Sequence, residues 1–153
     1  MAPNSPLVPS ISLSYPAITK QAASTMDGIH TDVMSTAFSD RIMITITQGG
    51  RLAQWIHISL DSPNPNFADQ YMPSGDDEDA LLPMAHLSPK TLLGGSTSER
   101  ETLGHLYATQ IATAIVTRNP EEKRTVLVGL GLSKFEARRE VFYDTVDLVM
   151  KCL

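Results

Sequence analysis

The residue types that most often carry chemistry are sparse and widely separated in this sequence. Its four histidines are His30, His57, His86 and His105, and its one cysteine is Cys152. No two histidines stand three or four positions apart, so no single helix would present a pair of metal ligands. A Gly-x-Ser-x-Gly nucleophile elbow is absent, and no cysteine–histidine pair has the spacing of a catalytic family. We therefore expect surface or half-buried histidines, a small apolar cysteine, and no metal site.

Two glycine-containing stretches have some of the features of phosphate-binding loops. Gly129-x-Gly131 follows an apolar run and precedes a predicted helix, but Lys134 replaces the third glycine of a dinucleotide motif. Gly94-Gly95-Ser96-Thr97 precedes another predicted helix, yet it lacks the lysine of a P-loop. We interpret the first stretch as a strand whose glycines let a helix pack closely, and the second as a turn with a helix cap. The sequence predicts no cofactor.

The overall charge excludes several classes of partner. The formal net charge is −5 and the sequence pI is about 5.2. Without a cluster of Lys and Arg, the chain lacks the electrostatic signature of a nucleic-acid-binding protein, and its acidity disfavours anionic membranes. No apolar run approaches the roughly 20 residues that span a bilayer. One cysteine cannot form an intramolecular disulfide, which fits a reducing compartment, so we expect the cytoplasm or the nucleus.

Composition divides the chain into three parts. Residues 1–16 are rich in Pro and Ser and predict a flexible tail, and residues 17–153 predict a single domain. Within that domain, residues 61–84 hold several prolines and the acidic run Asp76–Asp79, which predicts a long solvated loop. The acidic run could dock a basic partner, although a solvated charge run is the commoner explanation.

The first half of the domain predicts strands. Asp27-Gly28 is a strong hairpin signal between strands over 18–26 and 29–38. Isoleucines alternate with polar residues or methionine over 42–47, and the alternation resumes over 52–60 after a paired-glycine turn. We interpret these two segments as a second hairpin.

The second half predicts a short edge strand over 85–93, then a helix, a strand and a helix. Ser98-x-x-Glu101 and Ser133-x-x-Glu136 each match a capping box, and Asn119-Pro120 would end the first helix. The apolar run over 125–132 predicts a central strand. The sequence therefore predicts an α+β fold: a mostly antiparallel six-stranded sheet with two packed helices, in the order five strands, helix, strand, helix.

Trp55 is the residue whose position is hardest to explain within the chain. If Ile56 and Ile58 face the helices, Trp55 lies on the opposite face of the sheet. Exposed tryptophan is unusual and is favoured at protein interfaces, whereas a second layer of the same chain could equally cover it. The first alternative makes that face a candidate protein interface, with the residues Met43, Thr45, Ala53, Trp55 and His57.

Several stretches resemble the proteasome assembly chaperone 3 family. They are Thr36-Ala37-Phe38-Ser39, the strand Ile42–Gln48, the pair Gly50-Arg51, the stretch Lys90–Gly94, and a terminal helix that contains Arg138–Val141. A helix and a strand follow in matching order between the last two. No one of these motifs is specific on its own. The resemblance depends on their order along the chain and on the amino-acid sequence of the predicted hairpin.

The resemblance covers about residues 17–60 and 85–153, while the tail is longer than the family pattern and the loop over 61–84 is an insertion. It implies a non-catalytic chaperone that needs no cofactor and forms a dimer with a proteasome assembly chaperone 4-like subunit. Such a pair binds proteasome α-type subunits while the α ring of the 20S core forms. A homodimer in the absence of that partner stays open, as do two alternatives: a generic dimeric α+β adaptor and a small enzyme with an unrecognised site.

Overall fold

The described residues fold into a six-stranded sheet with two helices on one of its faces. A computed structural model describes residues 17–61, 86–134 and 138–153. In chain order the elements are β1 (Ile18–Met26), β2 (Ile29–Ala37), β3 (Arg41–Gln48), β4 (Gln54–Ser59), β5 (Lys90–Leu93), α1 (Ser98–Arg118), β6 (Thr125–Gly131) and α2 (Arg139–Lys151). The predicted fold class and order of elements are confirmed.

The sheet has the strand order β1-β2-β3-β6-β4-β5. All neighbours are antiparallel except β3 and β6, which are parallel. The predicted hairpin between β3 and β4 is therefore wrong, because β6 lies between them and only an isolated bridge joins Gln48 to Arg51. The most apolar strand gains most from the central position, where Val126 and Val128 are fully buried.

The first predicted hairpin is confirmed. Asp27 and Gly28 have φ angles of 50° and 75°, as a two-residue turn between antiparallel strands requires. The pairing of β1 with β2 runs without a bulge from Met26 opposite Ile29 to Ile18 opposite Ala37.

One hydrophobic core lies between the sheet and the helices. Alternate residues of β3, β6 and β4 point into it, and so do the inner faces of α1 and α2. The rings of Tyr107 and Phe142 join the two helices, with centroids 4.7 Å apart. The fully buried core side chains with no exposed surface are Ile44, Ile46, Ile56, Ile58, Ala108, Ile111, Ala112, Val126, Val128 and Val149.

Both predicted helix starts need correction. The N-cap of α1 is Thr97 rather than Ser98, since the Thr97 hydroxyl accepts a hydrogen bond from the Arg100 N–H at 3.3 Å. α2 begins at Arg139, which is several residues after Ser133, and its N-cap Arg138 makes no side-chain capping bond. Glu136, the other half of that predicted capping box, lies outside the described residues.

Ser133 instead belongs to a polar clamp around Gln48. The Gln48 Oε1 accepts hydrogen bonds from the Ser133 N–H at 2.8 Å and from its hydroxyl at 2.9 Å. The Gln48 Nε2 donates to the Thr31 hydroxyl at 3.0 Å. This buried amide therefore joins β2, β3 and the segment that follows β6.

Two of the three predicted parts of the chain are largely outside the described residues. They are the tail over 1–16 and most of the acidic loop over 61–84, so those predictions remain predictions. β5 does lie at an edge of the sheet, as expected, but as a shorter strand than the predicted 85–93. Neither described helix is long and apolar enough to cross a membrane.

Candidate protein-binding face

The two helices cover the same face of the sheet. On the α1 side, a side chain added at Gly104 would meet the Ile56 Cδ1 atom at 2.5 Å. On the α2 side, the Thr145 hydroxyl contacts the Met26 sulfur at 3.2 Å, and the Cys152 sulfur lies 3.8 Å from the Val33 carbonyl oxygen. In the register of the sheet these contacts all fall on the side that carries the core isoleucines.

The opposite side of the sheet, which we call the open face, has no described helix or strand over it. Because strand residues alternate, every second residue of β2, β3, β6 and β4 belongs to it. The register aligns these residues in two rows across the four strands, a width of about 14 Å at a strand spacing of ~4.8 Å. The rows are Thr36–Met43–Leu127–His57 and Met34–Thr45–Gly129–Trp55.

Trp55 lies over Gly129 on the open face. A Cβ atom added to Gly129 would come within 2.9 Å of the Trp55 Cζ3 atom, 3.0 Å of Cη2 and 3.1 Å of the Leu52 Cδ2. Real Cβ atoms are almost never found so close to other heavy atoms, so the ring can adopt this position only above a glycine. Trp55 is thus half-buried against Gly129 of the neighbouring strand β6, and the rest of its ring faces outward.

The sequence left open whether a partner protein or a second layer of the same chain covers Trp55. No second layer covers Trp55 within the described residues, so the alternative of a covering layer finds no support among them. We had expected the two glycines of β6 to make room for a helix, and this expectation is wrong. Gly129 makes room for the Trp55 ring, and a Cβ at Gly131 would overlap the backbone carbonyl of Arg51.

Four of the five predicted interface residues lie together on the open face. Met43, Trp55 and His57 are half-buried, and Thr45 is nearly covered by its neighbours. Ala53 lies just before β4 and is exposed, with its N–H bonded to the Leu130 carbonyl at 2.8 Å. The predicted hairpin between β3 and β4 would put Trp55 opposite Met43 or Thr45, but β6 separates the two strands.

Three exposed leucines border this face and were missed by the sequence reasoning. Leu52 is 42% exposed, and Leu92 and Leu93 in β5 are 56% and 68% exposed. Leu93 pairs with Trp55 across a bulge in the β4–β5 ladder. Consecutive leucines in a strand could have revealed this, because only one of the two can point into a core. Exposed leucines that adjoin a tryptophan are typical of a surface that another protein covers.

The ion pairs of Asp27 and Glu122 lie away from the two central rows of the open face. The guanidinium of Arg138 and the ammonium of Lys134 contact Asp27 at 2.8 and 3.5 Å, and both lower the pKa of that carboxyl. A hydrogen bond from Arg124 likewise lowers the pKa of Glu122.

By the same alternation Asp32 and Arg41 also belong to the open face, at its two ends, where they form ion pairs with His30 and Asp40. The two central rows between them present apolar, hydroxyl and imidazole groups, which suits protein contact without the cost of burying charge.

The described residues do not assemble a reactive centre. His30 contacts Asp32, His105 contacts the Thr91 hydroxyl at 2.8 Å, and His57 lies on the open face. No group of three or more His, Cys, Asp or Glu within the described part of the chain could hold a metal. Burial raises the pKa of the Cys152 thiol, despite the opposing charge of Lys20, so this cysteine is poorly suited to act as a nucleophile.

Comparisons with known proteins agree on one family. The family model for proteasome assembly chaperone 3 matches residues 44–152. A proteasome assembly chaperone 3 from Nematostella vectensis is 29% identical over 118 residues, which cover 75% of each of the two proteins. A chain from the crystal structure of a chaperone complex for yeast 20S proteasome assembly aligns with a TM-score of 0.58. That alignment has 15% identity and covers 88% of this chain and 97% of the yeast chain, so it supports the fold alone.

Proposed function

Since the chain belongs to the proteasome assembly chaperone 3 family, we propose that it is a non-catalytic chaperone that promotes assembly of the α ring of the 20S proteasome. The observation that carries this proposal is the family match over residues 44–152, which spans β3 to α2 and includes most of the open face. We place its action in the cytoplasm and the nucleus, in line with the single buried cysteine.

We assign the open face to a dimer with a related chaperone, a proteasome assembly chaperone 4-like subunit. Trp55 supports this assignment because its outer ring surface has no described partner in its own chain. Aromatic residues at the centre of an interface often dominate its binding energy. Met43 and Leu127 extend the apolar surface beside it, and methionine can adapt its shape to a partner. In the absence of the related chaperone, the same face would support a homodimer.

The dimer would act as a template for proteasome α-type subunits. Two subunits held on one surface reach a high effective concentration for each other, so they associate without any covalent step or nucleotide. The chaperone must also leave before the particle matures. A modest and largely polar contact with the α-type subunits would allow this release.

Co-expression with a proteasome assembly chaperone 4 and α-type subunits tests the proposal. The tagged wild-type chain should co-purify with both, as measured by size-exclusion chromatography and native mass spectrometry. Trp55→Asp should lose the chaperone partner while it stays folded, because a charge on the open face would be buried only in the dimer. The matched control is Leu106→Asp, at an exposed leucine on α1 in the other layer, which should bind normally.

Three results would contradict parts of this assignment. A folded Trp55→Asp variant with unchanged binding would place the dimer interface elsewhere. An unfolded variant would show that Trp55 belongs to the core. A wild-type chain that binds the related chaperone but no α-type subunit would favour a generic adaptor over an assembly chaperone.

A further inference from the structure

A cleft of about 330 Å³ lies on the helix side of the sheet, where the C-terminal ends of both helices meet the start of β1. Its apolar lining includes Ile18, Ile42, Ile115 and Met150. Ile18 is 70% exposed, the largest exposed fraction among the large hydrophobic residues of the described chain. An exposed isoleucine beside a buried apolar floor is a place where an apolar group from another molecule can be covered.

The rim of this cleft is positively charged. The described side chains that line it include Lys20, Arg118 and Arg124 and one carboxylate, Glu122, so these side chains alone carry a net charge of +2. A terminal carboxylate on Leu153, which also lines the cleft, reduces the net charge to +1. Glu122 is held by Arg124 at 2.7 Å. The Lys20 ammonium donates a hydrogen bond to the main-chain oxygen of Leu153 at 2.9 Å, and the Arg118 guanidinium donates one to the Met150 carbonyl at 3.2 Å.

These two cations retain further donors. A lysine has three N–H donors and an arginine has five, so one bond each leaves most of their capacity unused. The cleft is thus a local positive site on a chain whose formal net charge is −5. A carboxylate is the group that such a rim favours.

The outer edge of β1 adjoins the cleft and has no partner strand among the described residues. In a two-residue hairpin, the residues that flank the turn form a hydrogen-bonded pair, here Met26 and Ile29. Bonding then alternates along the strand, so the odd-numbered residues from Thr19 to Thr25 point their N–H and C=O groups outward. β1 is a nine-residue strand without a proline or a bulge, two of the features that commonly block an edge. Its one charged residue is Lys20, which lies on the helix side.

The edge and the cleft can be used by the same ligand. A strand added along β1 would alternate its side chains between the two faces of the sheet. Its residues beside Ile18 and Lys20 would point to the helix side, where the cleft opens. Two residues separated by one position could therefore place an apolar group against Ile18 and a carboxylate against Lys20 and Arg118.

We propose that β1 and the adjoining cleft bind an extended segment of another protein, through strand addition to the outer edge of β1. The segment carries an aliphatic side chain that enters the cleft and a carboxylate two positions away that contacts Lys20 and Arg118. This site is separate from the open face, since it uses the edge of β1 and the helix side of the sheet. It holds whether or not the chain acts on the proteasome.

Two segments of the same chain are competing occupants. Residues 1–16 contain no Asp or Glu, so they lack the carboxylate that the rim favours. The acidic run Asp76–Asp79 has the charge, and it belongs to the segment that follows β4. The experiment below includes a variant that separates this occupant from a partner protein.

A phage-displayed library of random peptides, selected on the full chain, provides the probe. Enriched sequences should share an acidic residue two positions from an aliphatic one. A synthetic peptide of the most enriched sequence is then labelled, and its affinity is measured by fluorescence polarisation. Lys20→Glu and Arg118→Glu should each weaken binding by about tenfold or more, the effect expected for losing a hydrogen bond to a charged group. Lys123→Glu, at an exposed lysine outside the cleft lining, should change the affinity by less than about twofold.

A backbone variant tests the strand addition. Gln21→Pro removes one outward N–H and places a ring on the edge, which edge strands tolerate. It should weaken the peptide by about tenfold, on the scale of a lost hydrogen bond plus a steric block. Thermal melts of every variant should show a cooperative transition, and Lys20→Met serves as a second variant if Lys20→Glu does not fold.

Several outcomes would overturn the proposal. They are a library without enrichment, enriched peptides without an acidic residue, and equal affinities for the Lys20→Glu and Lys123→Glu variants. The last comparison uses a chain in which Asp76–Asp79 are replaced by the corresponding amides. An unchanged peptide affinity supports a partner protein as the occupant, whereas a gain of about tenfold or more would assign the cleft to the acidic run of the chain itself.

Discussion

Replacing Gly129 by alanine would lift the Trp55 ring from the sheet. The added Cβ would lie 2.9 Å from the nearest ring atom and 3.1 Å from Leu52. Favourable contact between carbon atoms begins near ~3.5 Å, so the ring must move outward by roughly 0.6 Å or more. Nothing in the described chain covers the ring on its outer side, and the core below is on the other face. The change therefore alters the open face and leaves the core intact.

The expected energies separate folding from binding. Uncovering about 40 Å² of the ring and its neighbour costs about 1 kcal/mol at ~25 cal/mol per Å². Alanine restricts the unfolded chain more than glycine does, which offsets roughly 0.4–1 kcal/mol of that cost. Gly129 does not have a positive φ, so the backbone accepts alanine without strain. The free energy of unfolding should then change by less than about 1 kcal/mol. If a partner covers about 70 Å² of the ring, its loss weakens the dimer by about 1.8 kcal/mol, or about 20-fold.

The assay is direct because Trp55 is the single tryptophan of the chain. Gly129→Ala should shift the fluorescence emission to longer wavelength and increase quenching by acrylamide, and sedimentation should show the weaker dimer. Gly131→Ala is the matched control, two residues along the same strand. Its Cβ would overlap the Arg51 backbone, so we expect a loss of roughly 2 kcal/mol or more in stability. Unchanged emission in Gly129→Ala would refute the Trp55–Gly129 contact, and a stability loss as large as the control's would show that the ring cannot move freely.

Three further predictions concern stability. Gln48→Leu leaves Ser133 without its hydrogen-bond acceptor and Thr31 without its donor. The free energy of unfolding measured in urea should therefore fall by about 2 kcal/mol. An unchanged midpoint would mean that water replaces the amide. Replacing residues 62–83 with a short Gly-Ser linker should change the melting temperature by less than about 3 °C, because the segment lacks an apolar pattern. A large drop in melting temperature would show that the segment packs on the core. Asp27 has its pKa lowered from 3.8, chiefly by Arg138, so it contributes stability above about pH 4 that is lost as the pH falls through its folded pKa. Asp27→Asn, which keeps a residue suited to positive φ, should therefore show a smaller acid loss in melts from pH 6 to 2, and identical pH profiles would contradict the ion pair's role.

Local sequence signals were sufficient wherever one element decides its own structure. The Asp27-Gly28 pair specified a hairpin because few residues adopt positive φ in succession. The alternation of Ile42, Ile44 and Ile46 specified a strand and the face that it buries. The same parity placed Trp55 on the opposite face from Ile56. These features depend on backbone geometry within a few residues, which a sequence displays directly.

The neighbour of each strand was decided by the tertiary structure. A period of two assigns a residue to a face but does not say which strand lies beside it. The apolar run of β6 predicted a central strand, but no local signal showed that this strand lies between β3 and β4, where it places Gly129 beneath Trp55. The start of α2 was likewise set at a distance, because the Gln48 clamp binds Ser133 and removes it from the role of helix cap.

The family resemblance was readable in the sequence because it depends on the order of short motifs along the chain. The surfaces were not readable in this way. The open face needs four strands in register, and the cleft beside β1 needs the ends of both helices to meet one edge of the sheet. Such surfaces arise from residues far apart in sequence, so their composition is fixed only when the core selects one packing arrangement among the many that the same local patterns permit.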